Sequence, residues 1–288
     1  MIKASAPGKI HLIGEYSAIV GKPAILFPIN LSLTVFIQKT KTKVKKEQFQ
    51  KAIELAIEKR FNIKIPNYSL KIVSNIPTGS GLGSSAALCA SLSQALLKMQ
   101  NIKASQDEIF QIALEGERVF HGFPSGSDLL TVIQGKILWY RKENPELIIS
   151  IPLDIKISRK LGLFLIHSGT PKETTKQMVE FVLKSVPNKK FKQFCNSQEE
   201  LTKTMFNVLK SADQDEFTRI IKAAHKNLAT LGVISKSALE IVRQIEQIGG
   251  AAKITGAGGR KEGAGMIIAY HPKPEKLISL GYNLIKVK

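Results

Sequence analysis

The sequence predicts an α+β fold in two parts, and three features of the chain point there. Strand-type and helix-type runs alternate without the strict order of a βαβ protein. Long amphipathic helical patterns gather in the second half. A glycine-rich loop at 79–83 separates a strand pattern from a run of small, helix-tolerant residues. Taken in order, strands are expected at 2–4, 24–26, 33–38 and 70–74, where aliphatic and β-branched residues cluster. Helices are expected over 46–60, 84–99 and 105–119, then strands at 136–140, 146–149 and 163–167. Helical patterns follow at 172–183, 197–211, 215–231 and 235–247, where residues such as Leu228, Leu231 and Ile234 recur at three-residue steps. Strands return at 252–255 and 265–270, with a last helix at 274–280. The change from strand-rich to helix-rich sequence places the junction within 152–162 and divides the chain into 1–157 and 158–288.

Composition narrows the class. With 43% hydrophobic and 23% charged residues the chain reads as an ordinary globular protein. No apolar run is long enough to span a bilayer, and the first residues carry no apolar signal-peptide core, so a cytoplasmic location is expected. Cys89 and Cys195 stand far apart, which argues against both a disulfide framework and a zinc site. The five histidines form no H-x-x-x-H pair. The net charge of +19 admits a nucleic-acid partner as a reading from a different class. Yet the lysines are spread along the chain. The densest group, between Lys39 and Lys51, alternates with Thr and Val, and Trp139 is the only tryptophan. A generally lysine-rich proteome together with an anionic small substrate is the preferred account of the charge.

Four stretches carry chemistry. Gly79-Ser80-Gly81-Leu82-Gly83-Ser84-Ser85 lets the backbone approach a ligand closely, and its serines are expected to cap the helix that follows, whose first N–H groups face an anion. It matches neither a Walker A loop nor the G-x-G-x-x-G of dinucleotide folds. Pro7-Gly8-Lys9 is expected to hold Lys9 on a rigid turn, with Glu15 closing the apolar strand beyond it. Glu117, near a helix end, and Asp128, after Pro124-Ser125-Gly126, are two carboxylates able to divide metal ligation and proton handling. Thr255-Gly256-Ala257-Gly258-Gly259 is a second glycine loop. In isolation these last three read as well as a surface turn, a helix cap beside a turn aspartate, and a hairpin turn.

In this order, Pro-Gly-Lys with Glu15 beyond it, Gly-Leu-Gly-Ser-Ser-Ala at 81–86 and Thr-Gly-Ala-Gly-Gly at 255–259 resemble the three motifs of the GHMP kinase family, over nearly the whole chain. The wording Gly-Glu-Arg-x-x-His-Gly-x-Pro-Ser-Gly-x-Asp at 116–128, and the segment 168–179, resemble the mevalonate kinase branch. The resemblance implies a GHMP kinase fold: a part like ribosomal protein S5 domain 2 holding the ATP site, over 1–157, and a ferredoxin-like part over 158–288. It implies ATP and Mg²⁺ as cofactors and phosphoryl transfer to the 5-hydroxyl of mevalonate. Gly79, Ser80, Gly81, Leu82, Gly83, Ser84 and Ser85, with Gly256, Gly258 and Gly259, would surround the ATP phosphates. Ser85 and Glu117 would hold Mg²⁺. Asp128 would accept or orient the substrate proton with Lys9 beside it, and Glu15, Tyr16 and Thr255 would complete the substrate side. Neither a nucleic acid nor a membrane is an expected partner, and a homodimer is one open assembly state.

Three positions depart from the branch. Tyr16 replaces its usual histidine and is commoner in phosphomevalonate kinases, which makes phosphomevalonate or another small alcohol the alternative substrate. Ser127 stands where Ile or Val is usual, and Arg260-Lys261-Glu262 interrupts the third motif's glycines.

Overall fold

The computed structural model describes residues 1–122, 124–144, 147–155 and 161–287. The expected break at 157/158, much of the junction 152–162, Phe123 and Glu146 lie outside the described residues. The chain forms two compact units. The first gathers Met1–Lys9, Pro28–Pro77 and Gly83–Lys136, and the second Ile10–Phe27, Thr78–Leu82 and Ile137–Lys288.

The described elements run β1 (Ile2–Ile13), a 3-10 turn (Ser17–Val20), β2 (Ala24–Lys39), α1 (Gln48–Phe61), β3 (Tyr68–Ser74), α2 (Ser84–Met99), α3 (Gln106–His121) and α4 (Ser127–Gln134). They continue with β4 (Leu138–Lys142), β5 (Ile148–Pro152), β6 (Leu163–His167), α5 (Thr175–Ser185), α6 (Asn188–Ser211), α7 (Gln214–Thr230) and α8 (Lys236–Gln247). The last are β7 (Ala251–Ile254), β8 (Met266–Tyr270), α9 (Glu275–Ile278) and β9 (Ile285–Lys286).

In the first unit the outer part of β2 pairs antiparallel with β3, from Leu33 opposite Ser74 to Lys39 opposite Tyr68. Helix α2 packs against α1, α3 and α4. Its buried face is rich in alanine, which admits close helix approach. Gly116 in α3 is tightly enclosed: a Cβ there would lie 2.8 Å from both Cys89 Sγ and Ile53 Cδ1. Glycine lets the three helices meet, and the residue next to it is Glu117. A capping box between Ser105 and Glu108 starts α3.

In the second unit the first residues of β2 pair with β4, and β4 pairs with β5. A separate antiparallel sheet has the order β7-β8-β6-β9. Its core joins Ala252, Ile254, Ile267 and Ala269 of that sheet to Leu228 of α7 and to Ile241, Val242 and Ile245 of α8.

Several expectations are corrected. Pro7 and Gly8 form no turn but lie inside the continuous strand β1. The two strands expected at 24–26 and 33–38 are one strand of 16 residues that carries Pro28 along it. Helix α4 occupies a stretch where no element was expected, and α6 begins at Asn188 because Phe191, Phe194 and Cys195 keep helical spacing through a lysine-rich stretch.

Candidate functional site

In the first unit, Lys9 and Asp128 meet. Lys9 lies on β1 and is 3% exposed, and Asp128 lies in the first turn of α4, where the helix dipole favours a carboxylate. Their Nζ and Oδ2 atoms are 3.0 Å apart. The lysine stem is positioned by Gly83. That residue has φ +73°, and a Cβ on it would fall 2.8 Å from Lys9 Cγ. Gly83 is also the N-cap of α2 and makes no side-chain capping bond. This corrects the capping expectation: Ser84 and Ser85 are the first helical residues, not caps, and they sit where the helix presents its N–H groups.

Glu117, on α3, is buried below the same helix start. Burial is the main reason its carboxyl rises to about 7, with Ser85 opposing the rise, Asp128 adding to it and Lys9 opposing it. Its Oε1 is buried without a hydrogen-bond partner. His121, for which the motif suggested no role, brings Nε2 to 3.0 Å from Ser85 Oγ and 3.7 Å from Glu117 Oε2. Lys9, Ser85, Glu117 and Asp128, four of the expected residues, thus form one cluster within one unit.

The remaining candidates cluster in the second unit. The loop Thr78–Leu82 runs against the ends of β7 and β8: the Met266 N–H donates to the Ser80 carbonyl at 3.0 Å, and a Cβ on Gly81 would fall 2.7 Å from the Thr255 carbonyl oxygen. The second glycine loop, with Gly256, Gly258 and Gly259, connects the antiparallel strands β7 and β8. Thr255 Oγ1 accepts from the His11 N–H at 2.8 Å. Tyr16, with φ 61°, donates its hydroxyl to the Ala257 carbonyl at 2.6 Å. Glu15 forms a buried ion pair with Lys253, in which both side chains are at most 2% exposed. The reading of the motifs assigned Lys253 no role. Its signal was a lone lysine in the otherwise apolar strand Ala251–Ile254.

Residues 47–136 match a family model described as GHMP kinases N terminal domain. Over 99% of its length the chain superposes on 95% of an L. major mevalonate kinase in complex with R-mevalonate, with TM-score 0.80 at 20% identity. It also superposes on Streptococcus pneumoniae phosphomevalonate kinase, with TM-score 0.79 at 16% identity over the whole of both chains. The fold is that of the GHMP kinases. In sequence the chain is similar to mevalonate kinases. That of Thermococcus onnurineus is 28% identical over 321 aligned positions, covering 98% of this chain and 93% of the relative.

Proposed function

We propose that this chain is a cytoplasmic mevalonate kinase that transfers the γ-phosphoryl group of ATP to the 5-hydroxyl of mevalonate, giving 5-phosphomevalonate. The observation that carries the reading is the Lys9–Asp128 pair, 3.0 Å apart beside the glycine-capped start of α2. In the reaction the substrate O–H bond breaks, an O–P bond forms and the bond from Pγ to the ADP oxygen breaks. Asp128 accepts or orients the proton, while Lys9 holds Asp128 in place and stabilises negative charge on the transferring group. In the first unit the N–H groups at the start of α2 are assigned to phosphate binding, and in the second unit the loops containing Gly79, Ser80, Gly81, Leu82, Gly256, Gly258 and Gly259 are assigned the same role. Glu15, Tyr16 and Thr255 shape the alcohol side, with Glu15 held by Lys253.

Mg²⁺ fits this cluster. Glu117 has a buried oxygen lacking a hydrogen-bond partner, and the Ser85 hydroxyl adds a second hard oxygen donor. Bound there, the ion would supply neutralisation of the phosphate charge. No described helix is long and apolar enough to cross a membrane.

Tyr16 supports a second reading, in which the same chemistry acts on phosphomevalonate. The test is Mg·ATP-dependent ADP release with mevalonate, phosphomevalonate, homoserine and galactose side by side. Turnover with mevalonate alone is the expected result. Turnover only with another alcohol keeps the kinase and overturns the substrate. Inactivity on all four, with salt-sensitive RNA binding, overturns the enzyme reading.

A further inference from the structure

Ser127 is the first residue of α4 and is 1% exposed, at the position where the resembled motif carries an aliphatic side chain. A buried hydroxyl is costly unless it is bonded. Here it donates to Asp128 Oδ1 at 3.3 Å, opposite the oxygen that Lys9 holds at 3.0 Å. Ser127 has one hydroxyl proton, so its 3.0 Å contact with Ser125 Oγ is donated by Ser125. The Ser127 N–H returns a bond to Ser125 Oγ at 3.3 Å. From the other side the buried Thr131 hydroxyl fixes the Ser127 carbonyl at 2.8 Å. Ser127 is therefore tied through its hydroxyl and N–H to the loop before α4, and through its carbonyl to the second turn of the helix.

A carboxylate anchored through one oxygen still rotates about its Cβ–Cγ bond, a soft torsion with a broad minimum. A second anchor on the other oxygen removes that freedom. The Asp128 side chain remains 34% exposed, so an edge stays open to a ligand. We propose that Ser127 is a positioning residue that locks the Asp128 carboxylate in the orientation from which it meets the substrate hydroxyl. This rests on the reading of Asp128 as the proton-handling group. It assigns a use to the departure from Ile or Val that is independent of which alcohol is phosphorylated.

The test is a double-mutant cycle in the full chain, using Ser127→Ala, Asp128→Asn and the double variant. Turnover is followed by transfer of labelled γ-phosphate to the best alcohol of the four-substrate panel. Ser127→Ala should lower kcat about five- to tenfold, with KM for ATP and alcohol within about twofold of wild type. In the Asp128→Asn background the same change should have no further effect, because the carboxylate it orients is gone. Wild-type kcat in Ser127→Ala overturns the proposal, and so does an equal loss in both backgrounds, which marks a purely structural role. If Ser127→Ala does not fold, Ser127→Thr decides: it keeps the hydroxyl and should keep kcat within about twofold, and a larger loss overturns the proposal. Full activity in Asp128→Asn alone refutes the reading of Asp128 itself, a result separate from the Ser127 outcomes.

Discussion

Replacing Glu117 by glutamine should stabilise the protein above neutral pH while removing an expected metal ligand. Glu117 is 3% exposed, and burial above all lifts its carboxyl from 4.5 to about 7. A carboxyl raised in the folded state opposes folding only where the unfolded chain has already lost the proton. The penalty is therefore nearly absent around pH 4, grows between 4.5 and 7, and is constant above about 7. At about 1.36 kcal/mol per pH unit, the gap amounts to about 3 kcal/mol. Glutamine keeps the shape and never ionises, so Glu117→Gln should match wild type near pH 4 and exceed it at pH 8. For a chain of 288 residues that offset corresponds to about 5 °C in Tm. Overall charge argues for the opposite sign, since removing an anion from a chain of net charge +19 increases self-repulsion. The local burial cost is the larger effect. The assay is thermal unfolding of both proteins across this pH range in EDTA. A variant less stable than wild type at pH 8, or an offset that does not grow with pH, refutes the reasoning. Added MgCl₂ should then raise the wild-type Tm and leave that of the variant unchanged.

Asp128→Asn should lower kcat about 10²-fold or more with little loss of ATP binding, and near-wild-type turnover would remove its assigned role. Lys253→Met strands the buried Glu15 carboxylate without its cation. It should cost about 3–5 kcal/mol, read as a lower urea midpoint, and an unchanged midpoint would show the pair to be energetically neutral. Gly83→Ala places a Cβ 2.8 Å from Lys9 Cγ at a φ of +73°. Displacing the lysine should cost about ten- to a hundredfold in kcat, and wild-type kcat would show that Gly83 does not hold it.

What was legible in the sequence were signals that act locally. Helix α2 was expected over 84–99 and spans Ser84–Met99, because glycines end abruptly where small helix formers begin. Strand β6 likewise matches its expected range, 163–167. Helix α4 was missed because its eight residues, Ser127–Gln134, are too few to establish a period. Pro7-Gly8 was misread as a turn because both residues favour turns, whereas the neighbouring strand overrides that preference in β1. The spacing of Glu117 and Asp128 was visible, but their relation to Ser85 and Lys9 depends on helix packing around Gly116 and Gly83, which no local pattern encodes.

The pairing of buried charges shows the same limit and also a way past it. From the sequence, Lys9 and Glu15 read as charges flanking an apolar strand. They do not share that strand, because β1 ends at Ile13 and Gly14, at φ 102°, turns the chain before Glu15. Strand Ala251–Ile254 is buried at every position, so an ammonium at Lys253 requires a carboxylate there. Among the described residues only Glu15 and Glu117 are buried carboxylates. Lys253 takes Glu15 within the second unit. Glu117, in the first, is left against a serine hydroxyl and a histidine ring, with a carboxyl that holds its proton to about pH 7. Among the described residues, a buried carboxyl that gives up its proton so late has most to gain from a divalent cation, on grounds of burial and charge alone.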